Sequence, residues 1–120
     1  MNEEKQRIAI AEACGWEIYR DTTSEPECWI VQNKNNIRKV GSHKTRNQAF
    51  LLTIPDYLND LNECHEMEKV LEAEQMTRYL AYLSGGSFNL DAMFKHIATA
   101  TAAQKCNALL RAIDKWEDSE

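Results

Sequence analysis

The chain of 120 residues is 43% apolar and 28% charged, with four glycines and two prolines, a composition that excludes disordered and fibrous proteins. Its length suits a single domain over residues 1–120, and no apolar run approaches the roughly 18 residues that cross a bilayer. The net charge of −5 disfavours binding to duplex nucleic acid, which attracts basic proteins.

The first predicted element is a helix from Glu3 to Cys14. Asn2 is typical of an N-cap, and the acidic residues that follow it suit the positive end of the helix dipole. Gly15 favours a left-handed residue just past the helix, and Trp16 is then placed to fold back on the last turn.

Three short strands are predicted next, at Trp16–Arg20, Cys28–Gln32 and Ile37–Val40. Aromatic and β-branched residues dominate these runs, and turn-forming residues separate them. We expect them to form an antiparallel meander. The run Phe50–Thr53 is apolar but short, so periodicity leaves it open between strand and helix.

From Pro55 onward, the apolar spacing predicts helices only. Pro55 suits the first helical position of the first of these, which runs on through Met67 to Leu71. The next carries an apolar stripe over Met76, Tyr79, Leu80 and Leu83 and is stopped by Gly85-Gly86.

Two further helices complete the prediction. A short one spans Asp91–Ile97, with Met93 and Phe94 directed inward. The last begins at Thr101 with a capping box to Gln104. Its apolar face is formed by Ala102, Cys106, Leu109, Leu110, Ile113 and Trp116. The expected fold class is therefore α+β, with about three short antiparallel strands and a mainly helical C-terminal half.

Charge is segregated along the chain. Residues 28–55 contain five basic residues and no acidic ones, a local charge of +5, whereas residues 1–27 carry −4 and residues 56–120 carry −6. Guanidinium and ammonium groups bind phosphate well, so the basic segment predicts a site for a small anion. Its candidate binding residues are Arg38, Lys39, His43, Lys44 and Arg46. The alternative is a solvated loop whose charges balance the acidic helices.

Two aromatic residues extend this candidate site. Trp29 and Tyr19 lie nearest in sequence to the basic segment, and an aromatic ring there would stack on a nucleobase. The alternative for each is packing in the core. Neither the glycine spacing nor a following helix start matches a phosphate-binding loop or a dinucleotide fingerprint.

Carboxylates form the second candidate site. Asp56, Asp60 and Glu63 share one face of the helix predicted from Pro55, where they would hold a divalent ion, perform acid–base chemistry or dock a basic surface. The alternative is a solvated helix face. His65 and His96 lack partners at metal-ligand spacing, and no nucleophile motif is present. We expect no catalytic residue, metal, cofactor or enzymatic activity.

Four dispersed cysteines, at positions 14, 28, 64 and 106, include no C-x-x-C pair. Buried free thiols are expected in preference to disulfides or zinc ligands. The N-terminus is charged and contains no uninterrupted apolar block, which is unlike a secretory signal. We therefore predict a cytoplasmic protein.

Three blocks of the chain carry a resemblance to a family. They are AEACGW at Ala11–Trp16, IPDYLNDLN at Ile54–Asn62 with HEMEK at His65–Lys69, and ATAAQKCNALLR at Ala100–Arg111. In this order they resemble small proteins of the phage ABA-sandwich family, and the middle block is the most specific. The resemblance implies an α/β/α layered sandwich, encoded by a bacteriophage or prophage and expressed in the cytoplasm of the bacterial host. It implies no catalytic residues.

Together these features predict a non-enzymatic phage accessory protein with an anti-defence role, which sequesters a small nucleotide-type ligand. In this hypothesis the basic side chains neutralise phosphates and an aromatic ring stacks on a base. The alternative is a protein–protein interaction module that inhibits or scaffolds a host or phage protein, and its acidic helical face and methionines suit that role. Segregated charge favours a homo-oligomer under either hypothesis.

Overall fold

The computed structural model describes residues 1–23, 25–34, 36–84 and 90–117. The helices are α1 (Glu3–Ala13), α2 (Arg46–Thr53), α3 (Leu61–Glu68), α4 (Ala73–Leu83), α5 (Leu90–Thr99) and α6 (Ala102–Ala112). The strands are β1 (Glu17–Asp21), β2 (Cys28–Asn33) and β3 (Asn36–Gly41). The predicted α+β class, with three short antiparallel strands and a helical C-terminal half, is confirmed.

The sheet has the order β1–β2–β3, and its two faces differ. Because side chains alternate along a strand, residues in register share a face. Ile18, in register with Val31, lies on the face that packs into the core with α1 and α2, and we call this the inner face. The outer face carries Glu17, Tyr19, Asp21, Cys28, Ile30, Gln32, Ile37 and Lys39.

The hydrophobic core lies between the inner face and the helices. Ile10 of α1, Val31 of β2 and Phe50 of α2 are fully buried there. Helix α6 contributes Cys106, Leu109 and Leu110, as its predicted apolar face requires. These side chains come from α1, β2, α2 and α6, so a single core connects the sheet and the N-terminal helices to the C-terminal helix α6.

The predicted ends of α1 are confirmed, within one residue. The side chain of Asn2 accepts a hydrogen bond from the Lys5 amide at 2.8 Å. Gly15 is left-handed, with φ +94°. The Trp16 amide donates to the Ala11 carbonyl at 2.9 Å, which completes a Schellman ending.

The helix predicted from Pro55 is wrong in its start and in its end. Residues 55–60 precede α3, and Asp60 is the N-cap, its carboxylate accepting from the Asn62 amide at 2.9 Å. The Asp56 carboxylate accepts from the Asn59 side chain at 3.0 Å. Such local bonds compete with helix formation, so the chain turns here instead. Helix α3 ends at Glu68 and does not reach Leu71.

The remaining elements match their predicted positions, except that α6 ends at Ala112, so Ile113 and Trp116, predicted on its apolar face, follow the helix. The run Phe50–Thr53, left open above, is the end of α2, and the capping box of Thr101 with Gln104 is present. Helices α4 and α5 contain the predicted spans, whereas Gly85-Gly86 and the side chains of Met93 and Phe94 lie outside the described residues. All four cysteines are free thiols, and three of them are buried. No helix in the described ranges has the length and apolarity that a membrane span requires.

Candidate functional site

The turn between β3 and α2 is held in place at both ends. The Lys44 amide donates to the Gly41 carbonyl at 3.2 Å. The Trp29 indole N–H donates to the Lys44 carbonyl at 2.9 Å, which ties the turn to the central strand. Thr45 then begins α2 with a capping box to Gln48. The turn therefore has a defined backbone from which exposed basic side chains project.

Three predicted site residues lie on or beside this turn. His43 packs against Gly41, where an added Cβ would come within 2.7 Å of the His43 Nδ1 atom. Lys44 is exposed. Arg46 is the first residue of α2, and its guanidinium lies 5.9 Å from the centre of the Phe50 ring. His43, Lys44 and Arg46 form what we call the basic turn.

The charge arrangement at the basic turn is unfavourable in the isolated chain. A helix N-terminus carries a partial positive charge, which acidic residues normally offset. The first turn of α2, all of it within the described part of the chain, contains no acidic residue. It begins instead with Arg46, preceded by His43 and Lys44, so positive charge accumulates at this end of the helix.

Arg38 lies at the other end of α2. Its guanidinium donates to the Leu52 carbonyl at 3.1 Å, and Arg7 donates to the Leu51 and Ile54 carbonyls at 3.2 Å. A helix of eight residues is about 12 Å long, so Arg38 and Arg46 are separated by roughly that distance. The position of Arg38 indicates a structural role, because a cation stabilises the negative end of a helix.

We therefore expect Arg38→Ala to lower the free energy of unfolding by about 0.5–1 kcal/mol, through loss of a charged donor at the α2 C-terminus. Urea denaturation monitored by circular dichroism measures this change. Lys39→Ala is the matched control on the adjacent exposed residue, and we expect a change within about 0.5 kcal/mol. Equal effects of the two substitutions would contradict a capping role for Arg38.

The other predicted site residues lie on the sheet. Tyr19 and Lys39 are both in register with Ile30 and share the outer face, about 10 Å apart across β2. Trp29 lies on the inner face, where the Arg20 guanidinium is 6.0 Å from its ring. The structure thus groups His43, Lys44 and Arg46 at the basic turn, beside the Trp29 indole. It places Arg38, and the pair Tyr19 and Lys39, elsewhere.

The basic segment lacks internal charge neutralisation. Among the described residues, ion pairs link acidic residues to Arg7, Arg20, Lys69, Arg78 and Lys105. No basic residue of the range 28–55 forms such a pair within these described ranges. The positive charge of the segment is therefore available to a partner.

The acidic candidate site is not formed as predicted. Asp56 and Asp60 precede α3, so they do not share a helix face with Glu63, and both accept local hydrogen bonds. Burial raises the pKa of the Glu63 carboxyl, and the nearby charges of Asp60 and Glu66 add to this shift. Within the described residues, no three His, Cys, Asp or Glu side chains gather into a set that would hold a metal ion.

Two residues that position the basic turn were missed from the sequence. Thr45 and Gln48 form a capping box at the start of α2. Their spacing is the same as that of Thr101 and Gln104, which did predict a helix start. The same rule applied at Thr45 would have predicted α2 and placed Arg46 at its N-terminus.

Comparisons with protein-family models, curated proteins and solved structures find no match to this chain. The resemblance to the phage ABA-sandwich family accordingly stays a prediction.

Proposed function

We propose that the protein is a non-enzymatic interaction module that binds an acidic surface of another protein at the basic turn. The observation that carries this proposal is the accumulation of His43, Lys44 and Arg46 at the positive end of α2, where the first turn, described throughout, contains no acidic residue. Carboxylates supplied by a partner would offset this unfavourable charge.

The distribution of the basic residues favours a protein partner over a small ligand. Small-molecule sites are concave and bring a few polar groups to one point. Arg38 and Lys39 instead lie away from the basic turn, and the turn itself is largely exposed. A cavity of about 850 Å³ lies elsewhere, along α6. The exposed basic turn by itself suits clustered carboxylates on a protein surface better than a small ligand that needs a concave site.

The biological setting of this proposal follows from the resemblance to the phage ABA-sandwich family. On that basis the partner is a host or phage protein in the cytoplasm of an infected bacterium, and the module inhibits or scaffolds it. An anti-defence role is part of the same proposal. The chemical requirement of the proposal is that the partner presents clustered Asp or Glu side chains.

The second candidate function is the binding of a small phosphate-bearing ligand, such as a nucleotide. The specific observation in its favour is that the basic turn directly precedes α2, and helix N-termini bind phosphate through free amides. Trp29, whose indole contacts the turn, is the nearest aromatic ring for a base.

A fluorescein-labelled peptide of ten glutamates serves as the probe of the first proposal. We expect it to bind the protein in 50 mM salt, measured by fluorescence anisotropy, and to be released at 500 mM salt. The double variant Lys44→Glu/Arg46→Glu should bind at least about tenfold more weakly, because two attractive charges become repulsive.

The matched control is Lys95→Glu/Lys115→Glu, which changes the net charge equally at exposed positions outside the basic segment. Equal loss in both double variants would reject the basic turn as the binding site. Thermal-shift assays with inorganic pyrophosphate and a nucleotide panel test the second candidate. Saturable stabilisation by a nucleotide, without peptide binding, would replace the first proposal with the second, and no binding of either probe would reject both.

A further inference from the structure

We infer that the outer face of the sheet docks onto the same face of a second copy of the chain. The proposal does not depend on the proposed function, because the outer face lies apart from Lys44 and Arg46. It rests on two features of the outer face, an exposed apolar patch and a self-complementary arrangement of charge.

The apolar patch is separate from the main core. Ile37 is 63% exposed and Tyr19 is 48% exposed, although both are large side chains on a sheet. Ile30 of β2, in register with Tyr19, is buried, as is Cys28 farther along the same strand, yet neither belongs to the core cluster beneath the inner face. The outer face thus has a small apolar centre whose two flanks are open to a partner.

The charges on this face are divided between its two edges. Strand β1 contributes the carboxylates of Glu17 and Asp21, whereas β3 contributes the ammonium group of Lys39. The Glu17 carboxylate is exposed and accepts a 3.3 Å bond from the Gln32 side chain. One edge is therefore acidic and the other basic.

A two-fold axis parallel to the strands brings the acidic edge of each copy over the basic edge of the other. It places β2 over β2 of the other copy and places β1 of each copy over β3 of the other. The register then places Lys39 over Tyr19 of the second copy, where a cation–π contact forms, and places Ile37 over Glu17, so the Lys39 ammonium reaches the Glu17 carboxylate diagonally. Such an interface is isologous, and it keeps like charges apart. Facing sheets pack about 10 Å apart, which a lysine side chain spans.

The size of the face sets the strength of the dimer. Three strands of five or six residues cover roughly 14 Å by 18 Å, or about 250 Å² in projection. A stable interface needs about 800 Å² of accessible surface from each partner. We therefore expect a weak dimer, whose dissociation constant lies in the range of roughly 10–500 µM.

Sedimentation velocity from 10 µM to 1 mM, in 50 mM salt with a thiol reductant, tests the inference. The mass should rise with concentration from 13.8 kDa toward twice that value. Ile37→Asp should weaken the dimer at least about tenfold, because it places a charge in the apolar patch. The matched control is Leu61→Asp, at a leucine 48% exposed at the start of α3, which should leave the dimer unchanged.

A charge exchange tests the orientation of the two copies. Lys39→Glu should weaken the dimer, and adding Glu17→Lys should restore it, because the attractive pair is re-formed with opposite signs. A protein that is monomeric at 1 mM would overturn the inference. So would equal dimerisation of Ile37→Asp and the unsubstituted chain, or a charge exchange that restores nothing.

Discussion

Replacement of Phe50 by alanine is expected to lower the free energy of unfolding by about 3–5 kcal/mol. Phe50 is fully buried in α2 and packs in one cluster with Ile10 of α1 and Val31 of β2. Removal of the ring leaves a cavity where these three elements meet. Domains of this kind are stable by about 5–15 kcal/mol, so the loss is a large share of the total.

Urea denaturation of Phe50→Ala measures this loss, and Leu52→Ala is the matched control. Leu52 lies two residues along the same helix but is 54% exposed, so its truncation should change stability by no more than about 0.5 kcal/mol. A loss below about 1 kcal/mol for Phe50→Ala would show that this ring does not join the sheet to the helices.

The second large effect is a loss of stability at alkaline pH. Tyr57 and Tyr79 are almost completely buried. Burial raises the pKa of the Tyr57 hydroxyl above its ordinary value, and Cys14 adds to this shift. Burial also raises the pKa of Tyr79, and the negative charge of Glu68 adds to it. Both hydroxyls therefore stay protonated in the folded protein at a pH where they ionise in the unfolded chain.

The direction of the pH effect follows from proton binding. Above pH 10 or so the unfolded chain binds fewer protons than the folded one, so stability falls as the pH rises. The stabilising contribution is fully present below that pH. Each tyrosine removes up to about 1.4 kcal/mol per pH unit, which amounts to about 3 kcal/mol for the pair at pH 11 relative to pH 8.

Urea denaturation between pH 8 and pH 11 measures this dependence. The double variant Tyr57→Phe/Tyr79→Phe should lose that contribution. Tyr19→Phe/Tyr82→Phe, at the two exposed tyrosines, should keep it. The same pH dependence in the two doubles would show that the buried hydroxyls are not its source.

The elements that were predicted correctly have local signals. Asn2 and Gly15 delimit α1 through bonds to residues three to five positions away. The capping box at Thr101 acts over three residues. Such interactions join residues that are close in sequence, so a single sequence reveals them. The helix start predicted at Pro55 is wrong because Asp56 and Asp60 make competing local hydrogen bonds. The spacing of apolar residues carries no information about such bonds.

The arrangement of the basic residues depended on non-local contacts. Arg38 and Lys39 are adjacent in sequence, but strand alternation sends them to opposite faces of the sheet. The Leu52 carbonyl that holds Arg38 is exposed as an acceptor only because α2 ends there. The sequence therefore predicted which segment is cationic. It did not predict how the side chains of that segment are grouped, because the grouping depends on where α2 lies.

The bond between the Trp29 indole and the Lys44 carbonyl has a practical consequence. It attaches a fluorophore of the central strand to the main chain of the loop where we expect a partner to bind. Indole emission responds to changes in its hydrogen bonding and local polarity, so displacement of this loop alters an intrinsic optical signal. The molecule thereby carries its own reporter of occupancy, and no attached dye is needed to follow binding.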